Sequence, residues 1–364
     1  MKVSIVLDAL LQSAGQGKGE SEKGPAINSR GDLTETRDYA SYAFRMGNTD
    51  IIELKFQDIK EFLLPGMMVD EGCADGTLLV PVAKAFPDSQ LLGVEITAAF
   101  IQRAEERKAA GEYGGASVTF LQQNIAESLF APETIDTTIC NSVLHELWSY
   151  CNRAETIETY FAEKFRQLRE GGRLVIRDVV GPENKEQEVY LWLNDQDGTN
   201  DDIFKVYEDP RSLEEHLNRL STYARFRRFA EDYLQDMRAK GRREEETRVQ
   251  YREEVMDGKR FMVLRLKDAV EFMTKKDYTN NWQSEMNEEF AFWDFGQWKE
   301  ALRKADFHVL ENAAEPKKGS RTYVNPWIVK NRWEGNVALY RKTEKGLTPM
   351  EYPVTTMILV GEKR

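Results

Sequence analysis

Cysteine is scarce in this chain of 364 residues, which has only Cys73, Cys140 and Cys151. The count is odd, and no two of the three form a C-x-x-C pair. Such a set argues against a disulfide framework and against a zinc site, and it indicates a reducing compartment. We therefore expect a cytoplasmic protein that holds no metal.

Long apolar runs and excess positive charge are also missing. No apolar run approaches the roughly 18 residues that would cross a bilayer. The opening MKVSIVLDALLQSAG faintly resembles a signal peptide, but Asp8 interrupts its apolar part. Lys and Arg number 50 against 62 Asp and Glu, giving a formal net charge of −12. This balance favours a small-molecule substrate over nucleic acid and predicts no membrane partner, while the oligomeric state stays open.

The chain is organised around residues 66–95, GMMVDEGCADGTLLVPVAKAFPDSQLLGVE. A short apolar run closes at Asp70, and a turn of small residues follows it. A helical pattern then spans 77–86, and a second apolar run closes at Glu95. Small residues let a backbone pass close to a ligand, and a helix amino terminus offers free N–H groups. This order of elements predicts half of a nucleotide-binding βαβ unit.

The turn at 70–76, DEGCADG, resembles the D-x-G-x-G-x-G signature of class I S-adenosylmethionine-dependent methyltransferases. A dinucleotide fold would need glycine at Thr77, and acids inside the turn would repel a pyrophosphate. A sulfonium cofactor with an amino-acid end is cationic at two points, which suits Asp70 and Asp75. Ala74 stands where the family has its middle glycine, and a negative φ is expected there.

The resemblance implies a set of contacts to S-adenosylmethionine. Glu95 would accept hydrogen bonds from both ribose hydroxyls, and Asn124 would accept one from the adenine amine while Ile125 packs on the ring. A helix before the first strand, which often covers the cofactor in this class, would add Tyr42 and Arg45. The full expected cofactor set is Asp70, Gly72, Ala74, Asp75, Gly76, Glu95, Ile96, Asn124, Ile125, Asn141, Tyr42 and Arg45.

His145 is the predicted catalytic residue. It follows an expected fourth strand at 136–140, at the edge where open parallel sheets bind ligands. The pKa range of imidazole suits a general base. The alternative is that His145 and Glu146 only open the next helix. The preceding Asn141-Ser142-Val143-Leu144 departs from the N-P-P-Y-like residues of amino-methylating enzymes that act on DNA bases, which disfavours that subclass.

The remaining pattern predicts an α/β fold with a seven-stranded, mostly parallel, doubly wound sheet, as in class I methyltransferases. The resemblance covers 66–181, 294–311 and 354–361. The expected parts are a flexible arm (1–36), cap helices (37–64), a Rossmann-like core (65–182), a large, mainly helical insertion after strand 5 (183–293), and the C-terminal part of the core (294–364) with a long strand 6–7 connection (312–353).

The insertion after strand 5 and the long strand 6–7 connection both leave the sheet at its carboxyl edge, where ligands bind in this fold. Residues 270–298 and 322–340 are therefore expected to lie together over the mouth of one substrate site. The first of these segments is unusually rich in aromatic rings, which predicts a lid over an apolar pocket. The eight rings are Phe272, Tyr278, Trp282, Phe290, Phe292, Trp293, Phe295 and Trp298.

The expected function is methyl transfer to a small or mid-sized organic acceptor of aromatic or apolar character. Two alternatives stay open: an RNA or protein methyltransferase that docks its macromolecule through the insertion, and a catalytically inactive cofactor-binding scaffold. Arginines of the insertion could contact phosphate, but interleaved acids favour a solvated surface. These arginines are Arg225, Arg227, Arg228, Arg238, Arg242 and Arg243.

Overall fold

The structure is a computed structural model that describes residues 49–239 and 241–364. In chain order, the strands in these ranges are β1 Met67–Glu71, β2 Gln90–Glu95, β3 Ser117–Gln122, β4 Ile135–Asn141, β5 Leu168–Val179, β6 Glu188–Leu193, β7 Tyr251–Met256, β8 Lys259–Arg265, β9 His308–Val309, β10 Arg321–Tyr323, β11 Val337–Thr343, β12 Gly346–Pro349 and β13 Thr356–Glu362.

The α-helices of the same ranges are α1 Thr49–Ile59, α2 Leu79–Ala85, α3 Ala98–Ala109, α4 Leu144–Tyr150, α5 Ala154–Gln167, α6 Pro210–Arg219, α7 Thr222–Asp232, α8 Gln235–Ala239, α9 Glu244–Thr247, α10 Leu266–Lys275, α11 Trp282–Glu285, α12 Phe295–Lys304 and α13 Pro326–Ile328. A 3-10 turn, Lys60–Phe62, extends α1, and a π-helical turn, Val329–Trp333, extends α13. No helix in the described ranges is both long and apolar enough to cross a membrane.

The larger sheet has eight strands. Strands β3, β2, β1, β4 and β5 lie side by side and all run parallel. β13 pairs antiparallel with β5, and both β9 and β10 pair antiparallel with β13. The predicted mostly parallel sheet of a class I methyltransferase is therefore confirmed, and β10 adds one strand to the expected seven.

Helices cover both faces of this sheet, as a doubly wound fold requires. On one face, apolar side chains of α1, α2 and α3 pack on the strands, among them Phe56, Leu79 and Ala104. On the other face, α4, α5 and α12 contribute Leu144, Phe161 and other buried side chains. Burial on both sides explains why β1 and β2 contain consecutive buried apolar residues, such as Met68 with Val69 and Leu91 with Leu92.

In its described residues, the insertion contains six α-helices, and it also contains three strands that the sequence did not suggest. Strands β6, β7 and β8 join β11 and β12 of the later connection in a five-stranded antiparallel sheet, in the order β12-β11-β6-β8-β7. One face of this sheet packs on side chains such as Leu217, Phe226 and Phe272. Within 241–255, where the charged sequence GRREEETRVQYREEV resembles a solvated helix, only the short α9 forms and edge strand β7 follows it.

Part of the expected amino-terminal region falls outside the described residues. This holds for the arm at 1–36, for the first cap helix, and for Tyr42 and Arg45. The second cap helix, predicted over 49–63, is α1 with its 3-10 extension. One face of α1 carries Phe56 and Ile59 into the core, and an adjacent face lines a cavity.

Candidate active site

A tight turn joins β1 to α2 and depends on two glycines. Gly72 and Gly76 have φ of +73° and +74°. A Cβ on Gly72 would lie 2.6 Å from Cγ2 of Val143, and one on Gly76 would lie 2.5 Å from the hydroxyl of Tyr113. Both positions therefore need glycine for conformation and for space.

Ala74, between these glycines, corrects one expectation. Its φ is +47°, although a negative value was expected. The left-handed region costs an L-residue about 1–2 kcal/mol. The backbone N–H of Ala74 donates to Oε2 of Glu95 at 3.0 Å, and this hydrogen bond helps to hold the strained residue in place.

Glu95 ends β2 and lines a narrow crevice of about 50 Å³ beside the turn. Its Oε1 accepts from the N–H of Thr97 at 2.9 Å, and Oε2 accepts from Ala74. Burial raises the pKa of Glu95, and the two backbone donors oppose that shift. Each oxygen keeps a second acceptor position for a ligand hydroxyl. Five predicted cofactor residues line this crevice, namely Gly72, Glu95, Ile96, Asn124 and Ile125.

Two of the predicted cofactor residues, Asp75 and Asn124, already accept hydrogen bonds from other groups of the protein. Oδ2 of Asp75 accepts from Nη2 of Arg107 at 2.8 Å, and Oδ1 accepts from the hydroxyl of Thr77. Asp75 does not line the crevice, so its charge serves the turn. Oδ1 of Asn124 accepts from the N–H of Ala126 at 3.0 Å, which leaves one acceptor position on that oxygen.

Two acceptor atoms near the ends of neighbouring strands lack a partner in the described part of the chain. Oδ2 of Asp70 in β1 and Oδ1 of Asn141 in β4 are buried without a hydrogen bond. Burial raises the pKa of Asp70 to about 8, although the charge of Lys55 opposes this shift. Orphaned buried acceptors call for a donor, and the ammonium of a methionine-like ligand is one. These residues therefore fit the amino-acid end of S-adenosylmethionine.

His145 lies at the start of α4 between two carboxylates. Its Nδ1 is 2.7 Å from Oδ1 of Asp178, and its Nε2 is 3.5 Å from Oε2 of Glu288. The edge of Phe290 packs against the imidazole, with ring centroids 4.9 Å apart. His145 is thus oriented by Asp178 and faces Glu288.

The electrostatics of His145 differ from the near-neutral base that the sequence suggested. Burial on its own would lower the pKa, but the charge and hydrogen bond of Asp178, with the charges of Glu288 and Glu146, outweigh burial and raise the pKa to about 9. Asp178 has its own pKa lowered, because the charge of His145 and backbone donors outweigh burial. The imidazole is therefore protonated at neutral pH.

A second, larger cavity of about 300 Å³ opens on His145. Its walls come from α1, from the end of β5, and from segments 274–290 and 325–332. The two long additions meet at one mouth, as predicted. Only Tyr278 and Phe290 of the eight predicted rings line this cavity. Others are packing residues, such as Phe292, which stacks on Trp148 with ring centroids 4.1 Å apart.

The crevice and the cavity adjoin. Glu146 lines both, and its neighbour His145 lines the cavity. A ligand in the crevice therefore lies next to whatever enters the cavity. This is the arrangement that a transfer between two bound molecules needs.

Three functional candidates were missed from the sequence: Lys55, Asp178 and Glu288 all line the cavity. Asp178 could have been found, because an acid at the carboxyl end of the fifth strand lies at the ligand-binding edge. Lys55 and Glu288 carried no such signal, since each sits in an ordinary helical or charged stretch. In the described ranges, no group of three or more His, Cys, Asp or Glu side chains is arranged to hold a metal ion.

These features are a crevice at the carboxyl edge of a mostly parallel α/β sheet and a larger cavity that adjoins it. Residues 66–226 match the family model described as "Methyltransferase domain". The curated relative "Probable methyltransferase ltbC" of Aspergillus luteorubrus is 29% identical over 128 residues, or 33% of this chain and 44% of that protein. The chain thus spans less than half the length of this relative.

Among solved structures, a SAM-dependent methyltransferase of Thermotoga maritima is 12% identical with a TM-score of 0.42, covering 89% of this chain and 95% of its own. One of Methanosarcina mazei is 10% identical with a TM-score of 0.39, covering 84% and 96%. Scores at this level carry no functional argument. The family match and the site identify the core as a class I methyltransferase domain whose cofactor is S-adenosylmethionine.

Proposed function

We propose that the protein transfers the methyl group of S-adenosylmethionine to a small or mid-sized organic acceptor of aromatic or apolar character. The observation that carries this proposal is the cavity beside the cofactor crevice, which Glu146 joins. Its mouth carries the apolar side chains of Leu54, Trp327 and Ile328, and its floor carries His145. The rest of the lining is largely polar, so the cavity combines apolar contact surface with many groups that can orient a ligand, as small-molecule sites do.

The cofactor, when bound, supplies a methyl group that is already activated, so the chain mainly orients the partners and excludes water. Glu95 holds the ribose, and Asp70 with Asn141 holds the amino-acid end. In its neutral form, whose share grows as pH rises towards 9, His145 takes at Nε2 the proton that the acceptor loses, while Asp178 fixes the opposite nitrogen. Glu288 stands next to Nε2 and stabilises the imidazolium that results.

The arginines of the insertion support a small acceptor over a macromolecule. Arg225 donates to Asp277 at 3.3 Å and Arg228 to Asp232 at 2.6 Å. Arg242 donates to Glu289 at 3.1 Å. Guanidinium groups that are already paired with carboxylates contribute little to a phosphate-binding face. We also propose a cytoplasmic site of action, which the three free cysteines support.

The test is a methyl-transfer screen with S-adenosylmethionine labelled in its methyl group. Aromatic and apolar small molecules are compared with bulk RNA and with unmodified protein. The proposal predicts label transfer to members of the first group only, and a loss of about 100-fold in turnover for His145→Gln. Transfer to RNA or protein alone would contradict the proposed acceptor class. Equal turnover in His145→Gln would remove His145 from the chemistry.

A further inference from the structure

One lysine in the acceptor cavity has an unusual environment. Lys55 lies on α1, and with Ile51 and Leu54 it forms the face of that helix that lines the cavity. Only 8% of Lys55 is exposed. No ion pair or hydrogen bond joins its ammonium to another group in ranges 49–239 and 241–364. A buried ammonium without a partner is costly, because it loses hydration and gains nothing in return.

Two carboxylates, Asp178 and Asp70, attract Lys55 electrostatically, but no hydrogen bond or ion pair joins either of them to its ammonium in the described residues. Asp178 binds His145 and accepts backbone N–H groups of Val143 and Leu144. Arg177, which repels Lys55, is held by Asp58 at 2.8 Å. The unpartnered Oδ2 of Asp70 is assigned to the ammonium of the cofactor. The protein therefore leaves the charge of Lys55 to be matched by something that enters the cavity.

A second cation lies at the mouth of the same cavity. Arg332 stacks over Tyr278 and Trp327, with its guanidinium carbon 5.1 and 5.4 Å from the ring centroids. No carboxylate in the described ranges pairs with it. Arg332 is half-buried and reaches water, so its charge is solvated. Lys55 lacks that compensation, which makes Lys55 the stronger site for an anion.

We propose that Lys55 binds an anionic oxygen of the methyl acceptor, so that the acceptor is an aromatic or apolar carboxylic acid. This inference rests on the proposed function and narrows its substrate class. The acid group lies against Lys55, and the apolar body lies between Phe290 and the side chains of the mouth. A charge-assisted hydrogen bond in a water-poor cavity discriminates strongly between an anion and its neutral isostere.

The test uses two matched pairs of probes: 3-phenylpropanoate with 3-phenylpropanamide, and 1-naphthoate with 1-naphthamide. Their binding to the S-adenosylhomocysteine complex is measured by calorimetry at pH 7. The wild-type protein should bind at least one acid tenfold or more tightly than its amide. Lys55→Met should abolish this ratio, and Lys55→Arg should keep most of it. Lys60→Met, which changes an exposed lysine just beyond α1, should leave the ratio unchanged.

Several results would overturn the inference. The first is a wild-type protein that binds neither acid more tightly than its amide. The second is a preference for the acid that survives in Lys55→Met. The third is a preference that is lost in Arg332→Met but kept in Lys55→Met. A titration with S-adenosylhomocysteine alone, made before the probes are added, distinguishes a failure of the acid-site inference from a failure of the proposed function. Cofactor binding without acid preference leaves methyl transfer standing and refutes only the acid site. Absence of cofactor binding refutes both.

Discussion

Oδ1 of Asp178 lies 2.7 Å from Nδ1 of His145, while Oδ2 of the same carboxylate accepts the N–H groups of Val143 and Leu144. One side chain at the end of β5 therefore caps α4 and orients the imidazole. The geometry turns Nε2 of His145 towards Glu288 and the acceptor cavity. Position and protonation of His145 are consequently set by the same residue.

The pH dependence of turnover follows from the raised pKa of His145, about 9. A general base must be neutral, and the neutral fraction grows as pH rises through the pKa. We expect log kcat/KM to rise with unit slope from pH 6.5 and to level off near pH 9. The measurement is a pH–rate profile with an acceptor found in the screen. A profile that is flat over this range would show that His145 is not the base.

Replacing Asp178 tests how its carboxylate affects the pKa and the tautomer of His145. Asp178→Asn removes the negative charge that supports the imidazolium, so the inflection in the pH–rate profile should move to lower pH. Turnover should fall about 100-fold, because the imidazole loses its preferred tautomer. The affinity for S-adenosylhomocysteine, measured by calorimetry, is the control and should change less than threefold. An unshifted inflection would contradict the role given to Asp178.

Glu95 should dominate the affinity for the cofactor product. Glu95→Ala removes the predicted ribose contacts and the acceptor for the Ala74 N–H. Charge-assisted hydrogen bonds contribute about 1.5–3 kcal/mol each, so the Kd for S-adenosylhomocysteine should rise tenfold or more. Glu105→Ala is a matched control, since Glu105 is an exposed acid on α3. Equal affinities of Glu95→Ala and the wild-type protein would refute the ribose assignment.

Cofactor binding should release a proton from Asp70. Its pKa is about 8 because of burial, so the carboxyl group is mostly protonated at pH 7. An ammonium beside Asp70 favours the ionised form, so cofactor binding should release a measurable part of a proton at pH 7. Titration of S-adenosylhomocysteine in buffers of different ionisation enthalpy measures this release. Asp70→Asn should abolish it, and a release that persists in this variant would assign the proton to another group.

The parts of the fold that depend on local sequence were predictable. Strand, turn, helix and acid follow one another within residues 66–95, and each leaves its own pattern of apolar and small residues. Asp306 illustrates the same point, because Asp tolerates the left-handed region better than most residues, and its φ is +65°. Ala74 shows the limit of such reasoning, since the hydrogen bond that its backbone N–H donates to Glu95 offsets the preference of alanine for negative φ.

The second sheet was not predictable from local pattern, because its strands come from segments far apart in the chain. β6 is apolar on both faces, with Val189 and Leu191 on one and Tyr190 on the other, so it shows no alternation. β7 is a charged edge strand in which half of the side chains are exposed and none is buried, and its composition resembles a helix surface. Pairing with β8 decides its structure, and that partner is not visible in composition.

The candidate site also contains residues that the sequence could predict and residues that it could not. Glu95 and His145 end or follow strands of the core, and their positions follow from the connectivity of a parallel sheet. Lys55, Asp178 and Glu288 meet His145 or its cavity only through tertiary packing of three separate segments. The pKa of His145 depends on those partners, so its value of about 9 could not be read from its own neighbours in sequence.

The most direct test of the account is an electron-density map of the protein with S-adenosylhomocysteine bound. The account predicts both ribose hydroxyls within about 3.2 Å of the Glu95 carboxylate. It also predicts that the sulfur atom faces the cavity that holds His145. A product molecule bound elsewhere, or one whose sulfur is walled off from that cavity, would contradict the proposed transfer.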